Sequence, residues 1–160
     1  MNIIAAIDEK GGLGKDGQLL IRLETDMKHF RELTSGGVVI MGRKTLDSLP
    51  GGKPLPNRRN IVLTRNKEFS RDGVEVAHST LEVLQLVREE DSSKVWVIGG
   101  GEVYSKMLPF CVRCYITKIK KVFEADTFFP TLGPDWVILN RRQDLVEKDI
   151  SFSYEKYIRR

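Results

Sequence analysis

One carboxylate in this sequence, Asp26, borders the apolar face of a predicted helix. On a helical wheel it shares a stripe with Phe30 and Leu33, beside the neighbouring Met27. A carboxylate in a partly apolar pocket could bind a cationic or amidine-like edge of a ligand and influence its protonation. An acid in the first turn of a helix also complements the helix dipole, and the periodicity alone does not choose between these roles.

A run of three glycines, Gly99 to Gly101, separates a strand pattern from a helical pattern in VWVIGGGEVYSKML. Consecutive glycines at such a junction let the backbone approach a ligand closely, and the free N–H groups of the following helix suit an anion. The same glycines would also serve a tight turn with no ligand. Glu102 complements the helix dipole but counts against a phosphate at this point.

Cationic side chains follow two further strand patterns. Residues 42 to 45 (GRKT) lie where VVIM meets a short helical pattern, and NIVLT ends at Thr64 with Arg65 behind it. If the two strands are neighbours, three cations gather at their ends, which suits a phosphate monoester or a diphosphate. Each of these residues taken alone is more simply a solvated surface charge.

A second glycine-rich segment, GGLGKDG at 11 to 17, formally contains the G-x-G-x-x-G spacing of dinucleotide-binding loops. Such a loop must open directly into a helix that holds the pyrophosphate. Here KDG at 15 to 17 resembles a turn, and LLI at 19 to 21 continues as irregular apolar chain. We therefore predict a mobile loop over a site, not a Rossmann loop.

Metal and redox chemistry have weak support in the sequence. Cys111 and Cys114 form a C-x-x-C motif, which could be a redox pair or half of a zinc site. The motif leads into a strand pattern and has no second ligand pair, so a structural role is favoured. The only histidines, His29 and His78, have no partner at a metal-ligand spacing. We expect no metal.

The elements that must position these residues alternate between strand and helix patterns. Strands are predicted at 2–7, 38–41, 60–64, 74–77, 95–98 and 114–119, and helices at 24–34, about 44–49, 80–90 and 102–108. The last third holds strand patterns at 136–141 and 151–159 without helices, so antiparallel pairing is expected there. The sequence thus predicts an α/β fold with a mostly parallel sheet and an antiparallel edge.

Composition predicts one soluble globular domain over residues 1–160, because 41% of the residues are hydrophobic and 30% are charged. No apolar run approaches the roughly 18 to 20 residues of a membrane span, and the N-terminus lacks a basic n-region, so we expect a cytoplasmic protein. The net charge is +4, but the Lys and Arg residues form no dense basic block, which favours small anionic ligands over nucleic acid. No excess apolar stripe remains, so a monomer is expected.

Taken in order, the segments resemble the dihydrofolate reductase family over essentially the whole chain. The matching landmarks are IIAAID, GLGKDG, D-x-x-x-F at 26 to 30, VIMGRKT, LPNRRNIVLTR, VIGGGEVY, YITKI and EADTFFP. The resemblance implies a central eight-stranded, mostly parallel sheet with an antiparallel C-terminal edge, flanked by four helices. It also implies NADPH-dependent reduction of 7,8-dihydrofolate to tetrahydrofolate, in tetrahydrofolate biosynthesis and one-carbon metabolism.

The resemblance also assigns substrate-binding residues. Asp26 would be the only ionisable side chain in the pterin pocket, where it orients the pterin and favours its protonation, with water as the direct proton donor. Thr117 would lie beside it in the same hydrogen-bond network, and Arg58 would bind the glutamate α-carboxylate. The residues expected to line the pterin and aminobenzoyl pocket are Ile4, Ala5, Phe30, Leu49, Leu55 and Ile98.

Cofactor-binding residues follow from the same resemblance. The positions on the nicotinamide side are Ala6, Leu13, Gly14 and Tyr104. Gly99 and Gly100 match a glycine pair that the family joins by a cis peptide bond. The positions that hold the phosphates, and imply NADPH over NADH, are Arg43, Lys44, Thr45, Thr64 and Arg65. The remaining cofactor-binding residues are Gly42, Leu63, Gly101, Glu102 and Val103.

Two neighbouring positions depart from the family pattern. The family usually has L-P-W, four residues and then the acid, whereas this chain has LLI at 19 to 21. Ile21 replaces a tryptophan whose indole N–H commonly anchors a water connected to the acid, and an aliphatic side chain cannot donate that bond. Leu20 removes a proline that stiffens the loop. We expect an active enzyme with altered water placement around Asp26.

Two alternatives stay open at this point. One is a pyrimidine reductase of riboflavin synthesis on the same fold, although Asp26, Phe30 and Arg58 together favour a pterin with a glutamate tail. The other is a nucleotide- or folate-binding module with weakened catalysis, for which Leu20 and Ile21 are the only argument.

Overall fold

A mixed β-sheet forms the centre of the protein, which is described over all of residues 1–160 by a computed structural model. The strands are β1 (Asn2–Ile7), β2 (Gly12–Lys15), β3 (Gln18–Leu19), β4 (Val38–Gly42), β5 (Arg59–Leu63), β6 (Val74–Ala77), β7 (Val95–Gly99), β8 (Arg113–Ile119), β9 (Thr127–Phe128), β10 (Trp136–Arg141), β11 (Leu145–Glu147) and β12 (Ile150–Arg159). The helices are α1 (Glu24–Thr34), α2 (Arg43–Ser48), α3 (Thr80–Leu86) and α4 (Gly101–Met107).

The strand order of the main sheet is β10-β12-β8-β1-β7-β4-β5-β6. The strands from β8 to β6 in this order run parallel, and β12 and β10 complete the sheet antiparallel to β8. The predicted mostly parallel sheet with an antiparallel C-terminal edge and four helices is therefore confirmed. A short further strand that was not predicted, β11, pairs with β12 alone.

Helices cover both faces of the sheet, which explains why the central strands are apolar on both sides. In β4 the side chains of Val38 and Ile40 join one core cluster, together with Val103 and Met107 of α4. The alternate side chains join a second cluster on the opposite face, which contains Val39, Met41, Leu46, Ile4 and Trp96 and packs against Phe30 and Leu33 of α1. None of the helices has the length and apolar character that crossing a bilayer requires.

The segment predicted as a loop over the site contributes β2 to a second, small sheet in the order β3-β2-β9. β3 and β9 have only two residues and β2 is rich in glycine, so none of them shows a strand pattern in the sequence, and they were missed. Asp8 anchors the segment, because its buried carboxylate accepts hydrogen bonds from the N–H groups of Lys10, Gly12 and Phe123 at 2.8 to 3.0 Å. Burial acts to raise the pKa of Asp8, but these three donors outweigh it and hold the pKa below its usual range.

Helix α3 is shorter than predicted and ends at Leu86 instead of residue 90. The chain leaves the helix at Val87, and a turn follows in which the Glu90 N–H donates to the Val87 carbonyl. The Glu90 carboxylate then reaches Arg59 at 3.0 Å. The apolar spacing continued past the helix because Val87 is itself a buried core residue.

Candidate active site

The predicted site residues gather around the carboxyl ends of the parallel strands. Four neighbouring strands, β1, β7, β4 and β5, each contribute residues from their second half or from the segment that follows. Helix α1 crosses above β1 and carries Asp26 and Phe30. A crevice at the carboxyl ends of parallel strands is where α/β sheets bind ligands.

Asp26 is joined to the sheet by one short hydrogen bond. It lies in the first turn of α1, and the hydroxyl of Thr117 on β8 donates to Asp26 Oδ1 at 2.6 Å. Burial raises the pKa of Asp26, the Thr117 bond opposes that shift, and the negative charge of Glu147 adds to it. A carboxyl group in this state gains more from a proton-carrying, cationic ligand edge than an exposed one would.

Helix α1 is held at its N-terminus by an acid from a distant strand. Its own N-cap residue, Leu23, offers no side-chain acceptor. Instead, Glu147 of β11 accepts hydrogen bonds from the N–H groups of Glu24 at 2.5 Å and Thr25 at 3.0 Å, and from the Thr25 hydroxyl at 2.7 Å. The hydrogen bonds from Thr25 hold the pKa of Glu147 below its usual range. The position of Asp26 therefore depends on β11, which the sequence analysis missed.

An apolar wall runs from β1 to the end of α2. Ile4 is buried in one core cluster, and the half-buried side chains that pack against this cluster include Phe30, Leu49, Leu55 and Ile98. Ala5 is not part of this wall, because its side chain points to the opposite face of the sheet, into the cluster of Ile3 and Ile7. Five of the predicted pocket-lining residues are thus brought together, and Ala5 adjoins them only through its backbone.

Arg58 lies at the far end of this wall. Its Nη1 donates to the Thr34 hydroxyl at 3.0 Å, its Nε donates to the Pro56 carbonyl at 2.9 Å, and its guanidinium lies 6.0 Å from the centre of the Phe30 ring. Burial and then the like charge of Arg31 lower the pKa of Arg58. The remaining Nη2 makes no hydrogen bond to the protein, so this end of the guanidinium is free to bind an anion.

Two strand-to-helix junctions that contain glycine lie side by side in the sheet: β4 to α2 at Gly42, and β7 to α4 at Gly99 and Gly100. The peptide bond between Gly99 and Gly100 is cis, and a Cβ added at Gly99 would contact the Tyr104 ring at 3.4 Å. A Cβ added at Gly42 would lie 3.1 Å from Val103 Cγ2, and one at Gly100 would lie 3.5 Å from the Thr45 hydroxyl. These glycines therefore allow the start of α4 to approach the start of α2 closely.

Tyr104 ties this junction to β1. Its buried hydroxyl donates to the Ile4 carbonyl at 2.7 Å, and burial raises its pKa far above the usual range. Leu13 of β2 packs against the same core cluster as Tyr104 and Val103, and Gly14 lets β2 pass close to β3, since an added Cβ would lie 2.4 Å from the Gln18 carbonyl. Leu13 and Tyr104 thus share one core cluster with Val103, whereas Ala6 packs against the cluster of Leu23 and Tyr154.

Lys44 and Arg65 both act on Glu102, whereas Arg43 lies 5.2 Å from the centre of the Phe69 ring, and two of these three cations already have acidic partners. Arg65 contacts Glu102 at 2.7 Å, and Lys106 contacts the same carboxylate at 2.9 Å. Arg43 lies 3.9 Å from Asp47, whereas Lys44 makes no ion pair. Lys106, then Arg65, and to a smaller extent Lys44 lower the pKa of Glu102. An incoming phosphate would therefore compete with Glu102 for these cations.

Comparisons with known proteins agree on one family. A sequence profile described as dihydrofolate reductase matches residues 1–159. The chain belongs to the dihydrofolate reductase family. It is 35% identical over 159 residues to the dihydrofolate reductase of Staphylococcus haemolyticus, covering 99% of this chain and 93% of that one. It is 40% identical over 140 residues to the Mycobacterium tuberculosis H37Rv enzyme, covering 85% and 83%.

A solved structure supports the same assignment. The dihydrofolate reductase of Enterococcus faecalis, complexed with NADP(H) and RAB-propyl, superposes with a TM-score of 0.90 at 37% identity. The match covers 99% of this chain and 95% of that one. This chain is therefore an oxidoreductase that reduces dihydrofolate to tetrahydrofolate with NADPH, and not a pyrimidine reductase.

The residues present at the glycine junctions fit NADPH. Gly42, Gly99 and Gly100 have no side chains of their own to cover the backbone at the starts of α2 and α4, so an extended diphosphate could lie against it. Lys44 and Arg65 are exposed beside this crevice and supply positive charge. The two features together suit a cofactor with an additional phosphate.

The departures from the family pattern lie next to Asp26. Ile21 is half-buried and packs with Ala6 against a core cluster that includes Leu23 and Tyr154. Leu20 lies in a bend between β3 and α1. The side chain of Ile21 thus occupies apolar surroundings and offers no hydrogen bond to Asp26.

Proposed function

We propose that Asp26 and Thr117 form the acid–base part of this enzyme. An amidine-like pterin edge facing Asp26 would make paired charge-assisted hydrogen bonds with the carboxylate, through the 2-amino group and the neighbouring ring nitrogen. These bonds orient the pterin and favour its protonated form. Water is the direct proton donor to the ring nitrogen beside the reduced carbon. The partly buried carboxylate with a single protein donor supports this role.

The substrate lies along the apolar wall in this proposal. Ile4, Phe30 and Ile98 contact the pterin side, Leu49 and Leu55 contact the aminobenzoyl group, and Ala5 adjoins them through its backbone. Arg58 binds the glutamate α-carboxylate. The contacts of Arg58 with Thr34 and Phe30 support this assignment, because they hold the guanidinium at the open end of the wall.

When bound, NADPH supplies the hydride that the pterin carbon accepts. The chain's own part is to hold the cofactor beside the pterin and to exclude water from the reacting atoms. We assign the nicotinamide side to Ala6, Leu13, Gly14 and Tyr104, the phosphates to Arg43, Lys44, Thr45, Thr64 and Arg65, and the backbone crevice to Gly42, Leu63, Gly99, Gly100, Gly101, Glu102 and Val103. The closeness of the two glycine junctions supports this arrangement.

The hydrogen bond between Thr117 and Asp26 carries the proposal, and one substitution tests it. Asp26→Asn keeps the shape of the side chain and its acceptor for Thr117 but removes the charge. Turnover, measured as NADPH oxidation with dihydrofolate minus that without it, should then slow by at least roughly 100-fold at neutral pH. Glu32→Gln, an exposed acid on the same helix, serves as the control. Near-normal turnover of Asp26→Asn would exclude Asp26 as the acid.

We also propose that residues 1–160 act as one monomeric domain in the cytoplasm, without nucleic acid. The free cysteines Cys111 and Cys114 support a reducing compartment, since both are buried and unbridged. Burial raises their pKa values, that of Cys111 to about 12, which supports a packing role over a redox role. Size-exclusion chromatography tests the monomer, and a dimer-sized peak would contradict it.

A further inference from the structure

A tyrosine that no assigned role uses lies directly beside the acid. Tyr154 of β12 is paired in register with Thr117 of β8. Residues directly opposite each other in antiparallel strands project to the same face of the sheet. Since the Thr117 hydroxyl reaches Asp26, the Tyr154 side chain lies on the face that α1 covers.

Helix α1 contacts Tyr154 directly. The His29 ring stacks on the Tyr154 ring, with centroids 4.0 Å apart and an interplanar angle of 27°. His29 and Asp26 are three positions apart on α1, so they lie on neighbouring parts of one helical face. The tyrosine ring is therefore located beneath the turn of α1 that carries the acid.

The Tyr154 hydroxyl lacks a hydrogen-bond partner in the protein. The residue is only 8% exposed, and its oxygen is among the few buried polar atoms without a bond. A buried hydroxyl normally bonds to a protein group or to an ordered water. Burial and then the nearby Asp26 carboxylate raise the pKa of Tyr154 to about 12, so the hydroxyl stays protonated and able to donate at neutral pH.

Ile21 supplies no hydrogen-bond donor near Asp26. Its side chain packs against the cluster that contains Tyr154 and Leu23, and it carries no polar atom. Within the protein, Asp26 receives a side-chain hydrogen bond only from Thr117. A carboxylate has room for several donors, so one more donor would stabilise its ionised form.

We propose that Tyr154 is a positioning residue for Asp26: its hydroxyl donates to a water that bridges to the carboxylate, and it replaces the donor that Ile21 cannot supply. In this arrangement the water bound to Asp26 is held by Tyr154 of β12, on the sheet, instead of by a side chain of the loop before α1. The inference rests on the role proposed for Asp26 above.

The charged groups around this pair come from two directions. Asp26, His29 and Glu32 belong to α1, whereas Arg142 and Glu147 come from the segment after β10. Burial, and then Arg142, lower the pKa of His29, so its ring is neutral at neutral pH. The Arg142 guanidinium lies 5.7 Å from the centre of the Tyr154 ring. None of these groups takes the Tyr154 hydroxyl as a partner.

Tyr154→Phe tests the proposal because it keeps the ring and its stacking on His29 and removes only the hydroxyl. Without the bridged donor the ionised form of Asp26 is less stable, so the pH at which turnover falls on the alkaline side should move up by roughly 0.5 to 1 unit. On the acid side of the profile, where the shift does not contribute, kcat should fall about fivefold because the water beside the acid is no longer held in place. KM for dihydrofolate should change by less than about twofold, because the hydroxyl contacts the acid's water and not the substrate.

Tyr157→Phe is the matched control. Tyr157 lies on the same strand but on the other face of the sheet, and its hydroxyl donates to Glu155. This variant loses a hydrogen bond and some thermal stability, but its pH profile should equal that of the native enzyme. An unshifted profile in Tyr154→Phe overturns the proposal, and so does an equal shift in both variants.

A rescue experiment separates a donor role from a merely structural one. Ile21→Trp restores an indole N–H before the acid, so it should return the pH profile of Tyr154→Phe toward the native profile and raise kcat more in that background than alone. If Ile21→Trp does not rescue Tyr154→Phe while Asp26→Asn is inactive, the Tyr154 hydroxyl does not replace the indole donor. The role of Asp26 would still stand. An active Asp26→Asn would instead refute the proposed function.

Discussion

The Thr117 hydroxyl donates a 2.6 Å hydrogen bond to the Asp26 carboxylate and joins the middle of the sheet to the first turn of α1. It is the bond that opposes the effect of burial on the acid, whose pKa is nevertheless raised. The hydrogen bond therefore fixes the position of Asp26, while burial still disfavours the ionised form of its carboxyl group. A bound ligand whose edge donates hydrogen bonds would stabilise the ionised form.

The first prediction concerns stability, and its sign follows from the raised pKa of Asp26. In the folded protein the neutral form is favoured relative to the unfolded chain, so ionisation destabilises the fold as the pH rises through the folded pKa. Asp26→Asn never ionises. We expect it to melt at a higher temperature than the native protein at pH 7, and the difference should vanish below about pH 4.

Thermal melts of both proteins in the absence of ligands, over a series of pH values, provide the measurement. Asn keeps an acceptor for Thr117, so loss of the hydrogen bond should not mask the effect. Equal melting temperatures at pH 7 would contradict the conclusion that burial disfavours the charged acid.

A second prediction concerns the acid that caps α1. Glu147→Gln removes the charge that holds the first N–H groups of α1, so the melting temperature should fall by a few degrees and the pKa of Asp26 should fall as well. Because hydrogen bonds lower the pKa of Glu147, its stabilising effect is present at neutral pH and is lost as the pH falls through the folded value.

Glu9→Gln is a suitable control for this variant, since Glu9 is exposed and its side chain makes no ion pair or hydrogen bond. Calorimetry at neutral and acid pH should show a difference between the two variants only at neutral pH. If Glu147→Gln melts like Glu9→Gln at neutral pH, the cap from β11 contributes nothing to α1.

A third prediction concerns cofactor affinity. Glu102 contacts Arg65 and Lys106, and a phosphate must compete with it. Glu102→Gln should therefore lower KM for NADPH by roughly two- to fivefold at low ionic strength, with less effect at high salt, because exposed charges are screened. Glu89→Gln makes the same change in net charge at another exposed ion pair and should leave KM for NADPH unchanged. A higher KM in Glu102→Gln would show that Glu102 assists the cofactor.

A fourth prediction concerns the substrate tail. Arg58→Lys keeps the charge but loses the planar fork, so KM for dihydrofolate should rise about tenfold while kcat stays nearly constant. Arg160→Lys, at the exposed C-terminal residue, is the control. The comparison should be repeated with a substrate that lacks the glutamate. If Arg58→Lys also raises KM for that truncated substrate tenfold, the arginine does not bind the tail.

The sequence was sufficient for most of the main sheet because its strands are long and strongly apolar. The pattern VVIM predicted β4, which is buried on both faces, and the helical stripe through Phe30 and Leu33 predicted α1 with both ends correct. Strands of two residues, such as β3 and β9, carry no such periodicity. They form only because the chain before α1 meets the segment after β8.

The candidate site was predictable where it consists of local motifs and unpredictable where it consists of distant contacts. Asp26 and the glycines of the β7–α4 junction lie in recognisable segments. The cap from Glu147, more than 120 positions away from Thr25, has no local signal. Tyr154 was missed for the same reason, since only the register between β8 and β12 brings it next to Thr117.

The central claim is that Asp26 favours protonation of the pterin, with water as the direct donor, and the pH dependence of turnover in Asp26→Asn tests it most directly. If the claim is correct, the variant's rate should rise as the pH falls, because protons from solution then replace those the acid provides. The ratio of native to variant rates should be at least about 100 at neutral pH and should shrink steadily toward acid pH. A ratio that stays constant across the pH range would contradict the account.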